Sequence, residues 1–389
     1  MQIPNHPTIT TNGILRPTYV TVDLSALTHN YHAIQKHVGE TIVMPIIKAN
    51  AYGHGAEIIA SHLLQLGYST FGVADVAEAV ALIDAGVDAR FVIFSATLPE
   101  HSEAIVAFDC EPAVCTFEMV EALARAAEKL GKRVLIHIKV DTGMGRIGIY
   151  PDQVRAFIEH CRHYPAIHVR GIMSHFPRAD EADKTFSYQQ IETFKRVVET
   201  VRPHGIEVHH MANSAAILDL PDSYFDAARP GIAIYGLRPS RAIQNPQVND
   251  LRPVLEWKSR ITFLKEVAAG TGLSYGHIFA TQRPSLVATV PVGYGDGLSR
   301  NLSNKVDFLI AGLRCPQVAR ITMDMCLVDV TALRGRVELG DEVVIIGVQQ
   351  EEEITADELA DKLGTINYEI VTAISHRVQR IVMQYEDQP

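Results

Sequence analysis

Short apolar runs alternate with amphipathic helical patterns from Thr18 to about Gly236. The apolar runs predict eight strands, at 41–47, 70–73, 91–94, 111–115, 134–140, 168–175, 208–211 and a short run leading into Arg229. The periodic stretches predict helices between them, at 24–38, 56–66, 76–86, 117–130, 151–160, 185–201 and 214–219. Such alternation favours a (β/α)8 TIM-like barrel. An open doubly wound sheet remains the alternative, because the fourth strand is weak.

After about Arg252 the helical periodicity nearly disappears and β-rich runs follow one another. Strands are predicted at 257–267, 286–292, 305–310, 317–323, 327–329, 342–346 and 377–383, with one late helix at 356–363. The segment 239–250 resembles a linker. We therefore expect an α/β barrel plus an all-β domain: residues 1–250 as the N-terminal barrel and residues 251–389 as a C-terminal β-rich domain.

Composition narrows the class of protein. The chain has 389 residues, 47% of them hydrophobic, which is enough for more than one core. Its net charge of −10 disfavours a nucleic-acid partner. The first sixteen residues lack the pattern of a signal peptide, and no apolar run is long enough to span a membrane. Five cysteines without a C-x-x-C pair are typical of reduced thiols. We expect a soluble cytoplasmic protein.

One lysine stands out from the hydrophobic pattern. Lys48 ends the apolar run 41–47, and a turn of small residues follows it. Partial burial lowers the pKa of an ammonium group, and a neutral amine can react with an aldehyde cofactor. A lysine at a strand end more often simply extends into solvent, so its position alone does not decide between these two interpretations.

Further polar residues follow other predicted strands. Arg146 follows the fifth strand, His175 ends the sixth, Asn213 and Ser214 follow the seventh, and Arg229 follows the eighth. In a (β/α)8 barrel the carboxyl ends of the strands meet at one face, where active sites lie. Each residue alone has an ordinary structural explanation, and only their joint placement predicts a site.

The segment Lys48–Gly55 reads K-A-N-A-Y-G-H-G, and on it the chain resembles the alanine racemase family from about Thr18 to Arg380. The resemblance implies that Lys48 carries pyridoxal 5'-phosphate and that the enzyme, an isomerase, interconverts L-alanine and D-alanine for peptidoglycan synthesis. It implies no metal.

The resemblance also assigns contacts to the cofactor. It places Tyr52, Ser214, Gly231 and Ile232 at the phosphate, Arg229 at the pyridine nitrogen, and Arg146 at the phenolic oxygen and the substrate carboxylate. His175 and Asn213 belong to the same cofactor site. Because arginine does not readily give up a proton, Arg229 disfavours full delocalisation of charge into the ring, which suits racemisation and suppresses transamination.

Racemisation needs a proton donor or acceptor on each face of Cα. The resemblance makes Lys48 one of them and Tyr275, in G-L-S-Y-G, the other. A phenol has a pKa of about 10 and is therefore a weak base at neutral pH, and a chain of contacts through His175 to Arg229 would lower that pKa. In the family the tyrosine reaches the barrel of the other subunit, together with Met323 and Asp324, so the resemblance implies a homodimer with shared active sites.

Two positions stay open. His376 stands where many family members have a tyrosine that helps to bind phosphate, which leaves that cofactor contact in doubt. Lys139, seven residues before Arg146, is a carbamylated partner of Arg146 in the family picture and otherwise a strand lysine paired with an acid.

Three other functions compete with alanine racemisation. The closest is a racemase of the same type acting on serine, lysine or a broad range of amino acids. A basic amino-acid decarboxylase shares the plan but usually places a glutamate at the pyridine nitrogen. A pyridoxal-phosphate carrier would need neither the β-rich domain nor Tyr275.

Overall fold

The computed structural model describes residues 16–383, and the chain divides into two compact units. One unit spans Leu24–Val254 and alternates strands with helices. The other joins the first described residues, up to Asp23, to the part of the chain from Leu255 onward. Strands and helices are numbered below along the chain, and β1 (Tyr19–Val22) belongs to the second unit.

The helix-and-strand unit is built around eight parallel strands in the order β2-β9-β8-β7-β6-β5-β4-β3. They are β2 (Ile42–Val43), β3 (Thr70–Val73), β4 (Arg90–Ile93), β5 (Glu111–Val114), β6 (Val134–Lys139), β7 (Ile167–Met173), β8 (Val208–Asn213) and β9 (Ala227–Arg229). Beyond β2, Ile47 N–H donates to Gly72 O and Gly72 N–H donates to Pro45 O, 2.8 and 2.9 Å, so the two edge strands are also joined. The predicted barrel is confirmed.

Helices connect these strands: α1 (Leu24–Val38), α2 (Ala56–Gln65), α3 (Val76–Asp84), α4 (Ser102–Ala107), α5 (Phe117–Leu130), α6 (Val154–Arg162), α7 (Thr185–Val201) and α8 (Ser214–Asp219). Capping explains several boundaries. Thr116 accepts from Met119 N–H at the start of α5, and Gly131 ends that helix in a left-handed conformation. Buried aliphatic residues such as Ile136 and Ile138 of β6 fill the interior.

The β-rich unit contains a ten-stranded, mostly antiparallel sheet in the order β11-β14-β17-β16-β15-β18-β10-β1-β20, with β19 pairing with β18. Its strands, after β1, are β10 (Leu255–Arg260), β11 (Phe263–Val267), β14 (Ser285–Val290), β15 (Asp307–Ile310), β16 (Leu313–Val318), β17 (Cys326–Asp329), β18 (Glu342–Gln349), β19 (Glu352–Ile354) and β20 (Gln379–Val382). A small hairpin of β12 (Gly272–Leu273) and β13 (Phe279–Ala280) precedes Ser285, and the helices are α9 (Ala356–Leu363) and α10 (Asn367–Thr372).

Several local predictions differ from the structure. The run 41–47 forms only the two-residue strand β2 and an isolated bridge between Ile46 and Gly72. The predicted strand 257–267 is two strands, and α10 was not predicted. The N-terminal strand β1 pairs with β10 and β20 instead of the barrel. The predicted linker 239–250 lies within the Leu24–Val254 unit.

Candidate active site

The chain after Lys48 forms a left-handed turn. Ala49, Asn50, Ala51 and Tyr52 have φ angles of 52–54°, a conformation that costs about 1–2 kcal/mol for each such residue. Glu78 stabilises the turn, because its carboxylate accepts from Ala49 N–H and from Ala74 N–H, both at 2.7 Å. The strained turn therefore sets the direction in which Lys48 leaves the barrel wall.

Lys48 lies in an electropositive environment. Partial desolvation by the surrounding protein lowers its pKa although the side chain is exposed, the charges of Arg146 and Arg229 lower it further, and Glu78 acts in the opposite direction. A larger fraction of the amine is consequently neutral than in a lysine without these neighbours. Neutral amine is the form that reacts with a carbonyl or accepts a proton.

Arg229 is the best-anchored cation of the site and is almost fully buried. Its Nη2 donates to Ser174 O at 2.8 Å and Met211 O at 3.1 Å, and its Nη1 donates to His210 Nδ1 at 2.8 Å. The guanidinium carbon also lies 5.5 Å from the centre of the Phe94 ring. Burial lowers the pKa of Arg229 to about 9, which still leaves the group a cation at neutral pH.

His175 is held as a neutral acceptor toward Arg229. Arg229 Nη2 donates to His175 Nδ1 at 3.3 Å, so the ring proton is on Nε2, because arginine cannot accept a hydrogen bond. Burial lowers the pKa of His175 well below its ordinary value, and the charges of Arg229, Lys139, Arg146 and Lys48 act in the same direction. The free Nε2–H is a donor.

The predicted phosphate residues come together at the start of the segment after β9. Ser214 Oγ accepts from Gly231 N–H at 2.8 Å and from Ala233 N–H at 3.3 Å. A Cβ at Gly231 would lie 2.5 Å from Tyr52 Oη, so only glycine leaves room for the phenol there. Ile232 is the next residue. These hydroxyl and N–H groups fit a phosphate anion.

Asn213 has a structural task in the same region. Its Oδ1 accepts from Ala216 N–H at 3.0 Å and caps α8. That oxygen is therefore engaged, and only the amide NH2 of Asn213 is available to a cofactor.

Arg146 lies at the end of a tight loop after β6. Asp141 Oδ1 accepts from the backbone N–H groups of Gly143 and Met144, both at 2.8 Å, and its Oδ2 accepts from Gly145 N–H at 2.9 Å. The carboxylate fixes the loop by three contacts, and Arg146 extends from it as an exposed side chain.

Lys139, the last residue of β6, is almost fully buried. Burial lowers its pKa to about 7, with contributions from Arg229 and Arg146. Among residues 16–383 no carboxylate lies within 4 Å of its ammonium nitrogen, so the interpretation of Lys139 as a strand lysine paired with an acid is not supported.

The predicted residues of the β-rich unit are exposed. Tyr275 has 73% of its surface accessible and Met323 has 52%. Arg377 connects two of their segments: it donates to Asp324 Oδ1 at 2.9 Å, to Met323 O at 3.1 Å and to Asp296 Oδ1 at 2.8 Å. His376, its neighbour, is exposed as well.

Sequence reasoning missed several residues of these clusters. Nothing in the sequence showed that the carboxylate of Glu78 reaches Ala49. His210 and Arg377 lie beside predicted site residues and could have been singled out as polar residues in apolar runs. Within residues 16–383 no three His, Cys, Asp or Glu side chains are grouped as metal ligands, and no helix there is both long and apolar enough to cross a membrane.

Comparison with known proteins agrees with this geometry. Two family models match the chain: alanine racemase, N-terminal domain, over residues 22–239, and alanine racemase, C-terminal domain, over residues 254–382. The alanine racemase of Halothermothrix orenii is 42% identical over 370 residues, which cover 94% of this chain and 97% of that protein. The alanine racemase of Desulfovibrio desulfuricans is 41% identical and is covered to 99%.

Solved structures give the same result. The alanine racemase of Clostridium difficile 630 superposes with a TM-score of 0.91 at 34% identity, covering 95% of this chain and 96% of that one. The alanine racemase of Bacillus anthracis with bound L-Ala-P has a TM-score of 0.89 at 34% identity and covers 95% of this chain.

A parallel barrel with polar side chains at its strand ends, followed by a β-rich domain with exposed polar loops, defines a two-domain enzyme with its chemistry at the barrel mouth. The chain belongs to the alanine racemase family. The resemblance found in the sequence is thereby confirmed, and so is the assignment to the isomerases.

Proposed function

We propose that this protein interconverts L-alanine and D-alanine with pyridoxal 5'-phosphate as cofactor and Lys48 and Tyr275 as the two catalytic groups. The family membership supports the substrate and the cofactor. The observation that carries the proposal is the arrangement at the barrel mouth. Lys48 has a lowered pKa, Arg229 is buried, and Gly231 leaves space beside the hydroxyl of Tyr52.

The residues present fit the cofactor. Tyr52, Ser214, Gly231 and Ile232 would hold its phosphate, with His376 as a further candidate. Arg229 would face the pyridine nitrogen, and Arg146 the phenolic oxygen and the substrate carboxylate. The cofactor, when bound, withdraws electrons from the substrate Cα and makes its hydrogen acidic. A cationic Arg229 does not readily give up a proton at neutral pH, which limits this withdrawal and keeps the reaction at Cα.

Lys48 and Tyr275 exchange the proton of Cα from opposite faces. Lys48 accepts it as a neutral amine, which its lowered pKa supports. Tyr275 needs a donor that stabilises its phenolate. His175 offers an Nε2–H because its Nδ1 already accepts from Arg229, so a phenolate facing His175 would be stabilised without a proton transfer.

The catalytic tyrosine comes from a partner subunit in a homodimer with shared active sites. The exposure of Tyr275 and Met323 supports this, because both side chains are available to a second copy of the chain. Met323 and Asp324, clamped by Arg377, would reach the substrate entrance together with Tyr275.

Lys139 carries a carbamate that orients Arg146. An amine with a pKa of about 7 is about half unprotonated at neutral pH, and the unprotonated form adds carbon dioxide and releases a proton. The resulting anion would compensate for the positive charges of Arg146 and Arg229.

Alanine is favoured over serine, lysine or a broad set of amino acids by the names of the relatives, and the product would supply peptidoglycan synthesis in the cytoplasm. A panel of L-amino acids assayed for D-product separates these substrates. The arginine at the end of β9, where a decarboxylase usually has a glutamate, supports racemisation over decarboxylation.

Mixed dimers test the proposal. Lys48→Ala and Tyr275→Ala homodimers should each be nearly inactive, since each lacks the group for one face of Cα. In a heterodimer one site receives both defects and the other neither, so co-refolding should restore up to about half of the activity per heterodimer.

The matched control replaces the Tyr275→Ala partner by a Lys48→Ala/Tyr275→Ala double variant, which should restore nothing. Absence of recovery despite isolated heterodimers, or a fully active monomeric wild type, would show that each site is built from one chain.

A further inference from the structure

A line of hydrogen bonds crosses the interior of the barrel from Arg229 to Glu111. Arg229 Nη1 contacts His210 Nδ1 at 2.8 Å, and His210 Nε2 contacts His137 Nδ1 at 2.9 Å. His137 Nε2 contacts Glu111 Oε2 at 3.0 Å, and Glu111 Oε1 accepts from Arg170 Nη1 at 2.9 Å. Glu111 begins β5 and Arg229 ends β9. The line therefore runs from the amino ends of the strands to their carboxyl ends.

Every member except Arg170 is almost fully buried: the exposed fractions are 2% for Glu111, 1% for His137, 0% for His210 and 4% for Arg229. Gly171 on β7 leaves space for the His137 ring, since a Cβ at that position would lie 2.1 Å from His137 Nδ1. In such surroundings an unsatisfied N–H costs about 1–3 kcal/mol. The positions of the ring protons consequently matter.

Both ends of the line require the same proton arrangement. Arginine only donates, so His210 Nδ1 must be unprotonated and its proton lies on Nε2. That proton is donated to His137 Nδ1, which leaves the proton of His137 on Nε2, facing Glu111. An ionised carboxylate only accepts, so Glu111 requires the same proton arrangement as Arg229. The pKa of Glu111 lies below its ordinary value: burial raises it, but the hydrogen bond from His137 and the charges of Arg170 and Arg90 outweigh burial.

We propose that Glu111 is a positioning residue for Arg229, because through His137 and His210 it fixes the ring nitrogen that accepts from the guanidinium. The reversed arrangement would place an N–H of His210 against an N–H of Arg229 at 2.8 Å. Nη1 would then lose its acceptor and the guanidinium would turn. The consequence for reaction specificity rests on the role proposed above for Arg229.

The ring tautomers can be measured directly in protein labelled with ¹⁵N in its histidine rings, with and without cofactor. Single His137→Gln and His210→Gln variants assign the two signals. In the wild type both rings should be neutral with the proton on Nε2. A wild-type His210 that is doubly protonated, or that carries its proton on Nδ1, would overturn the proposal without any further variant.

A graded series at position 111 tests the cause. Glutamate offers two acceptor oxygens, glutamine one and leucine none. Glu111→Leu should give mixed tautomers at His137 and His210, and it should raise transamination relative to racemisation. We expect a change of about tenfold, which is the size of the loss of activity when a metal site loses an outer hydrogen-bond partner. Glu111→Gln should have a smaller effect, since its single oxygen is shared between His137 and Arg170.

Arg170 supplies the control. Arg170→Met keeps the acceptor for His137 and should leave both tautomers unchanged. In Glu111→Gln/Arg170→Met the amide oxygen is free to face His137, so the double variant should approach the wild type. If Glu111→Leu does not fold, the comparison of Glu111→Gln with the double variant tests the proposal instead.

Wild-type tautomers and an unchanged product ratio in Glu111→Leu would contradict the proposal, because Arg229 alone would then determine the tautomers of the two rings. An effect of Arg170→Met equal to that of Glu111→Leu would also contradict it, since the charge pair would then be responsible. If the tautomers change but an Arg229 variant shows normal specificity, the proposed role of Arg229 fails and the hydrogen-bond line stands.

Discussion

The polar residues at the barrel mouth and those of the β-rich unit are held in different ways. Arg229 has its hydrogen-bond contacts inside the Leu24–Val254 unit, and the pKa values of Lys48, Lys139 and His175 are shifted by burial and by neighbouring charges. Tyr275 and Met323 lie on exposed loops. The first group has its electrostatic surroundings within its own unit, whereas the proposed role of the second group requires surroundings supplied by a partner subunit.

This difference separates what each group can do alone. Electrostatic preparation needs a low dielectric and fixed dipoles, and both are found among the buried strand ends. An exposed phenol has neither. The comparison therefore predicts that substitutions in the barrel change the chemistry within one subunit, while substitutions in the β-rich unit change what one subunit gives another.

The largest effect is expected at Lys48. Lys48→Ala removes both the proposed attachment point of the cofactor and one proposed catalytic group, so activity should fall by more than about 10⁴-fold. Borohydride treatment of the wild type should fix the cofactor to the peptide containing Lys48, as read by mass spectrometry. Lys265→Ala, at an exposed lysine of β11, is the control and should be fully active. Labelling of another lysine would show that Lys48 is not the attachment point of the cofactor.

A smaller effect is expected for Arg229→Glu. A carboxylate at the pyridine nitrogen would strengthen electron withdrawal, so racemisation should slow by about 10²-fold and transamination to pyruvate should increase. Arg229→Lys keeps the charge but loses the second donor arm, and it should slow the reaction without raising pyruvate. D-alanine and pyruvate are followed together. Normal racemisation without extra pyruvate in Arg229→Glu would refute the proposed role.

The sequence predicted the barrel more accurately than its details. The helices 24–38, 117–130 and 185–201 have the predicted bounds because their periodicity, and for 117–130 also its caps, are local signals. The strand predicted at 41–47 was too long, since beyond Val43 the backbone donates first to Ala228 O and Pro230 O and then to Gly72 O. These contacts join distant segments, which no local pattern reveals. The line from Arg229 to Glu111 joins residues up to 73 positions apart in a single contact, so it required the fold.

The buried amine of Lys139 in the barrel unit should make the free energy of unfolding depend on pH. Its pKa is about 7 in the folded chain and 10.5 ordinarily. The unfolded chain thus binds more protons between these values, and in buffer free of carbon dioxide the free energy of unfolding should rise with pH across this window. Each unit of pKa difference contributes about 1.4 kcal/mol.

Urea denaturation from pH 7 to pH 9 measures this rise. Lys139→Met should lack the part of the rise that comes from Lys139, while the lowered pKa of Lys48 still contributes. Lys258→Met should keep the full rise, because Glu256 and Glu342 outweigh burial and raise the pKa of Lys258. Bicarbonate should flatten the wild-type curve if Lys139 takes up carbon dioxide. Parallel curves for the wild type and Lys139→Met would mean that the buried amine does not titrate in this window.

The smallest effect is expected at His376, an exposed residue of the β-rich unit. If its ring meets the cofactor phosphate in the assembled enzyme, the protonated ring binds best, and cofactor should be lost faster as pH rises. A solvent-exposed ion pair contributes at most about 1 kcal/mol, so the change in affinity should be no more than about fivefold. His376→Tyr should hold the cofactor equally well at each pH, and His101→Tyr, on an exposed segment of the barrel unit, should behave as the wild type. Dialysis across a pH series followed by cofactor absorbance gives the answer, and identical loss in wild type and His376→Tyr would show that the ring points away from the phosphate.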